Sequence, residues 1–138
     1  MRPEQIILHH SLTEDSQTVS WIAIRRYHTQ TLGWAGIGYH FGIELVGDHY
    51  ETLIGRPMNV QGAHTRGQNH NSIGICFVGN FDEEEPNYKQ LACGIVLVKS
   101  LLEILNLTHK DVKMHRYYAD YKSCPGWKFP FTEFLNQL

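Results

Sequence analysis

Apolar residues fall along this chain in short runs and spaced stripes, and the periods of those stripes predict its elements. Ile6-Ile7-Leu8, within QIILHH, is a short continuous run that predicts a buried strand delivering two histidines at its end. SLTEDSQ follows as a polar loop. From Thr18 to Gln30, Val19, Ile22, Ile24 and Tyr27 fall mostly on one side of a helix, with Arg25 and Arg26 facing water. Glycine-rich LGWAGIG ends that helix. Tyr39 to Val46 alternates as a strand, Gly47-Asp48 reads as a hairpin turn, and His49 to Ile54 is the returning strand. GRPMNVQGAHTRGQNHN has no period and predicts a long functional loop, since plain connectors of that length are uncommon.

Ser72 to Val78 is continuous and apolar, as in a central strand. A long helix then starts within EEEPNYKQ. Tyr88, Leu91, Ala92, Ile95, Val98, Leu102 and Leu105 mark its buried stripe, and Asp82 to Glu85 place negative charge before its N-terminus. Asp111 to Met114 lead into a second histidine-bearing segment, and Phe129 to Leu138 closes the core with a short helix. Strands and good helices in one chain predict an α/β fold: a single domain, residues 1–138, with a central mixed β-sheet flanked by helices. No internal repeat or linker divides it.

Composition changes this picture at three points. The 138 residues carry a formal net charge of −2 with no Lys/Arg cluster, which speaks against a nucleic-acid surface. No stretch approaches the length of a membrane span, and MRPEQIILHH has no signal-peptide pattern. Synthesis in the cytoplasm, as a monomer with no membrane insertion, is the expectation, with action elsewhere after release. The nine histidines are an unusual number for this length and want a chemical reason. Of the three cysteines, Cys76 and Cys93 lie in apolar patterns and read as buried thiols, whereas Cys124 sits in a polar turn before Pro125-Gly126. One disulfide or three free thiols both fit, and a reducing compartment fits at least as well as an oxidising one.

Imidazole and thiolate are preferred zinc ligands, and a catalytic zinc uses three of them with a fourth position left for water. His9 or His10 from a strand end, His115 from a second segment and Cys124 nine residues later make such a set. A structural zinc is the competing reading, but it normally takes four protein ligands with close Cys-x2-Cys spacing, and none is present. Lys122, two residues before Cys124, is placed to stabilise an oxyanion if it shares the cavity. Tyr39 and His40 follow Gly-Ile-Gly, and Tyr39 is a candidate partner for a water at the metal. His64 and His70 lie in the long loop. His64 is a candidate groove residue or outer-shell contact, whereas His70 reads as loop surface.

IILHHS, IRRYHTQTLGWAGIGYHFGIE, GRPMNVQGAHTRGQNHNSIGICFVGNF and HR…KSCPG occur in that order over almost the whole chain. Together they resemble the N-acetylmuramoyl-L-alanine amidase type 2 family, whose fold is shared by T7-type phage lysozymes and peptidoglycan recognition proteins. The resemblance implies zinc ligation by His9, rather than His10, together with His115 and Cys124. It also implies a catalytic Tyr39, a Lys122 of the T7 type, and a groove position for His64 near the metal; His40 is, on its own position, a further candidate for the groove or outer shell. The reaction it implies is hydrolysis of the amide between N-acetylmuramic acid and L-alanine in bacterial peptidoglycan, by a phage or prophage endolysin. Tyr39 or His64 would relay a proton to the leaving nitrogen. Family members that only bind cell wall lack the cysteine ligand, so Cys124 favours the enzyme over a binding module. Tyr117 stands where the family commonly has Asp, and HRYYADYKSC holds one extra residue before Cys124.

Overall fold

β1 (Gln5–His10) is buried along its whole length because it runs between two other strands. In this computed structural model, which describes residues 1–12 and 20–138, β1 pairs in parallel with β4 (Ser72–Phe77) and with β5 (Val112–Met114). β4 also pairs in parallel with β2 (Phe41–Val46), and β2 forms an antiparallel hairpin with β3 (His49–Ile54) through the expected Gly47-Asp48 turn. The mixed sheet has the order β3-β2-β4-β1-β5. Parallel neighbours need covered faces, and helices supply the cover.

One face packs against α2 (Tyr88–Leu105) and the C-terminal α4 (Phe131–Asn136). Ile6, Leu8, Ile73, Ile75 and Phe77 point into this core and meet Val98, Leu101, Phe129 and Phe134. Each side chain so buried contributes roughly 1.5–3 kcal/mol relative to exposure. The buried stripe of α2 is turned from the expected one. Gln90, Gly94, Val98, Leu101 and Leu102 are its buried residues, whereas Tyr88 and Ala92 are exposed. Gln90 is the polar member that the apolar pattern passes over. Its Nε2 donates to the carbonyls of Ile43 and Val78, both 3.0 Å away, and so ties the helix to the sheet. Nor do the acidic residues cap this helix: Asn87 accepts from Lys89 N–H, and its first turn has no acid.

The other face is covered by α1 (Trp21–Arg26), a wide π-type turn (Tyr27–Thr31) and the loops. The N-cap Ser20 accepts from Ala23 N–H. Trp21 and Ile24 pack on Ile37 and Cys76, whereas Ile22 and Tyr27, expected to face inward, are exposed. The change to π geometry after Arg26 alters the helical period, so Tyr27 leaves the face that periodicity assigned to it. Residues 13–19, holding most of the polar loop and the expected helix start at Thr18, lie outside the described residues. The loop between β3 and β4 has neither helix nor strand, as its aperiodic sequence predicts. All three cysteines are free. No helix among the described residues is long and apolar enough to cross a membrane.

Candidate metal centre and groove

Strand register brings the first two site residues together. Leu8 pairs with Met114, so the next positions, His9 and His115, emerge side by side at the C-terminal ends of parallel β1 and β5. Crevices at such ends are where α/β sheets bind ligands. Their rings lie 4.4 Å apart between centroids. Strand alternation separates His9 from His10. His10 turns to the opposite face, packs against Phe81 and accepts from Phe81 N–H at 3.1 Å.

Cys124 arrives on a loop held from two sides. Arg116 N–H donates to the Cys124 carbonyl at 2.8 Å, and its guanidinium reaches the carbonyls of Ser123 and Gly126. Asp82 accepts from Ser123 Oγ at 2.7 Å and from Trp127 N–H at 3.0 Å. Gly126 has φ +113°, and a Cβ there would stand 2.5 Å from the Phe81 backbone. This loop therefore needs a glycine. Between His115 and Cys124 the chain forms α3 (His115–Tyr118) and a turn, which Lys122 N–H closes onto Ala119 O.

The donor atoms of His9, His115 and Cys124 all lie within 4.8 Å of one another. Cys124 Sγ stands 3.6 Å from His9 Nδ1. A tetrahedral zinc with its usual bond lengths holds sulfur and nitrogen about 3.6 Å apart, so the donors fit this ion in both type and spacing. Burial keeps His115 neutral by lowering its pKa to about 4, with Lys122 acting the same way. His9 is lowered well below its usual range, first by burial and then by His64, His115, His10 and Lys122. Burial pushes the Cys124 thiol up to about 12, against the opposing effects of the His10 backbone, Lys122 and Arg116. A metal would have to draw off that proton.

With Nδ1 turned to Cys124, His9 carries its proton on Nε2 and donates to His64 Nδ1 at 2.9 Å. His64 Nε2 in turn faces Ser72 Oγ at 3.4 Å. Thr65 Oγ1 lies 3.0 Å from His64 Nδ1 and 3.3 Å from His9 Nε2. His64 thus holds the His9 ring, the contact an outer-shell partner of a metal ligand would make. Both its nitrogens are engaged in these contacts. Burial and neighbouring His40 lower its pKa to about 3. Gly74 makes room for the ring, since a Cβ there would lie 2.5 Å from two atoms of His64. His40 sits one layer further back, fully buried, between Val60 O and Gly74 N–H. It touches His64 but does not line the groove.

The Tyr39 ring centroid lies 5.2 Å from that of His9. Burial raises its phenol well above the usual range, and Cys76 and Cys124 add to this, so the hydroxyl is a donor at neutral pH. His28 fixes the preceding residue by accepting from Gly38 N–H at 2.9 Å. Lys122 is exposed on the groove rim, and its charge acts on His9, His115 and Cys124 alike. The groove, of about 610 Å³, runs past His64 and His115 between the 63–69 loop and the 118–122 turn. His70 is exposed and lies outside its lining. Periodicity carried no signal for Thr65, Asp82, Arg116 or His28. Only the unusual histidine content pointed toward His28.

Residues 1–127 match the family model described as N-acetylmuramoyl-L-alanine amidase. The endolysin of Enterobacteria phage T3 is 42% identical over 81 residues, 59% of this chain and 51% of that protein. Peptidoglycan-recognition protein SC2 of Drosophila melanogaster is 51% identical over 103 residues, 75% of this chain and 54% of that protein. The chain spans about half the length of these two curated relatives. Among solved structures, N-acetylmuramoyl-L-alanine amidase LysC from Clostridium intestinale superposes with a TM-score of 0.86 at 35% identity, covering 99% of this chain and 85% of that one.

Proposed function

The chain belongs to the N-acetylmuramoyl-L-alanine amidase family, and from that premise we propose that it hydrolyses the amide between N-acetylmuramic acid and L-alanine in bacterial peptidoglycan. The observation that carries this reading is the buried His9–His115–Cys124 set, three donors with zinc spacing, whose His115 also lines the groove. Four-ligand structural zinc sites have no such arrangement. Residues 1–138 act as one catalytic domain, and the protein works on the cell wall as a phage-type lysin.

Bound at these three residues, zinc supplies Lewis acidity and activates water near neutral pH. The chain's own groups do the rest. His64 holds the His9 ring in the tautomer that offers Nδ1. Tyr39, kept protonated by burial, donates a hydrogen bond at the reacting centre and orients the attacking water. Lys122, from the rim, stabilises the negative charge that develops on the lactyl carbonyl oxygen. The leaving nitrogen of L-alanine must gain a proton, and Tyr39 or His64 passes on the one given up by the attacking water.

The test is digestion of purified peptidoglycan by the zinc-loaded protein, followed by identification of the new ends. New L-alanine amino groups without new reducing sugars, lost on chelation and restored by zinc, support the amidase. New reducing ends would make the protein a glycosidase. Tight wall binding with no new ends of either kind would make it a binding module.

A further inference from the structure

Resting on the amidase reading, we propose that Arg66 makes the groove selective for a stem peptide whose second residue carries a free α-carboxylate. Two cations, Arg66 and Lys122, line the groove from opposite walls, and among the described residues no Asp or Glu lines it. The sugar side of the scissile amide offers neutral hydroxyls and an acetamido group. The peptide side offers carboxylates. A cationic wall without acids fits the peptide.

Arg66 is also the uncommitted arginine of this site. Arg56 is taken up by the carbonyls of Ile37 and Gln61, and Arg116 by those of Ser123 and Gly126 and by the Trp127 ring. Among the described residues the Arg66 guanidinium has no hydrogen bond or ion pair, so its donors face the groove unused. Its backbone, by contrast, is fixed. Gln68 N–H closes a turn onto Thr65 O, and Gly67 takes φ +83° at its second corner. Asn69 Oδ1 accepts from both His64 N–H and Thr65 N–H at 2.8 Å. A free planar fork on a rigid turn is suited to bidentate capture of a carboxylate.

Position selects which carboxylate. Arg66 lies two residues beyond His64 and next to Thr65, whose hydroxyl is 3.3 Å from His9 Nε2. An extended chain advances about 3.3–3.6 Å per residue. The turn therefore lies alongside the first residues after the scissile bond. L-Alanine has no charge to offer there. The next residue, D-glutamate joined through its γ-carboxyl, bears an α-carboxylate in some walls and a carboxamide in others.

Three synthetic N-acetylmuramoyl tripeptides, given to the zinc-loaded protein, test this. One has the free α-carboxylate at residue two and an amidated C-terminus. A second has carboxamides at both places. The third has a carboxamide at residue two and a free C-terminus. The first is expected to show a KM lower by about tenfold or more than the other two, as charged hydrogen bonds allow. Arg66→Gln should raise its KM to theirs, with kcat moving less than KM, and Arg66→Lys should recover part of the preference. Equal use of all three, a preference that follows the C-terminal carboxylate, or a preference that survives Arg66→Gln would each overturn the proposal while leaving the amidase standing. Release of L-alanine amino groups from none of the tripeptides and from no whole wall would instead bring down the amidase reading, and this proposal with it.

Discussion

The two faces of β1 and β4 are built on opposite principles. Toward α2 and α4 the strands present Ile6, Leu8, Ile73, Ile75 and Phe77, a packed hydrocarbon layer. Toward the groove side the alternate positions are Gln5, Ile7, His9, Ser72, Gly74 and Cys76, equally buried and, apart from Ile7, small or polar. One face supplies stability through area and fit. The other gives up some of that packing to hold imidazoles in fixed tautomers, where a removed methyl group matters less than an added one. The same backbone thus carries a tolerant layer and an exacting one, separated by the thickness of a strand.

Substitutions can break that contrast, beginning with the largest effect. Cys124→Ser removes a ligand. Turnover should fall by more than the roughly 10- to 100-fold typical of lost outer-shell partners, while far-UV circular dichroism stays that of the parent. Lys122→Ala, on the exposed rim, should lower kcat by about 10²–10³ with zinc stoichiometry intact; parent-level wall lysis in this variant would refute its role. A matched pair within β4 sharpens the comparison. Ile75→Ala should cost about 2–5 kcal/mol in urea unfolding without weakening zinc. Gly74→Ala should weaken zinc by about 10- to 100-fold through displacement of His64. If both variants moved the same quantity, the division between faces would be wrong.

The smallest effect concerns protons. At pH 7.5 His9 and His115 are already neutral in the metal-free protein, and Cys124 is protonated. Zinc uptake should therefore release the Cys124 proton and, from water activated near neutral pH, part of a second, read by calorimetry in buffers of different ionisation enthalpy. At pH 6 the number should fall to near one, because the water then keeps its proton while His115, lowered to about 4, and His9, well below its usual value, add none. Histidines at the ordinary value of 6.5 would each add most of a proton there.

Much of this was legible in the chain. The hairpin, the central strands and the long helix follow from pattern; His115 and Cys124 were candidates by residue type, and the choice of His9 over His10 came only from the family resemblance. What pattern obscured has specific causes. SIGICF reads as one apolar run because glycine and cysteine count as apolar, although only Ile73, Ile75 and Phe77 enter the main core. The stripe of α2 was displaced because Gln90, a polar residue, is buried to satisfy two strand carbonyls. Asp82 looked like a helix-terminal charge from its neighbours, yet its partners lie 41 and 45 residues away, beyond any local window. Tyr27 was assigned inward by a 3.6-residue period that the π turn interrupts.

The centre joins positions far apart along the polymer. His9 and Cys124 are 115 residues apart. An ion held by both would act as a cross-link enclosing nearly the whole chain, from the first strand to the segment before the last helix. Because such a link forms only in the native arrangement, each tenfold rise in zinc above its dissociation constant adds about 1.4 kcal/mol against unfolding. The ion would then also serve as a fastening, and the protein stripped of it would become open to proteases as well as inactive.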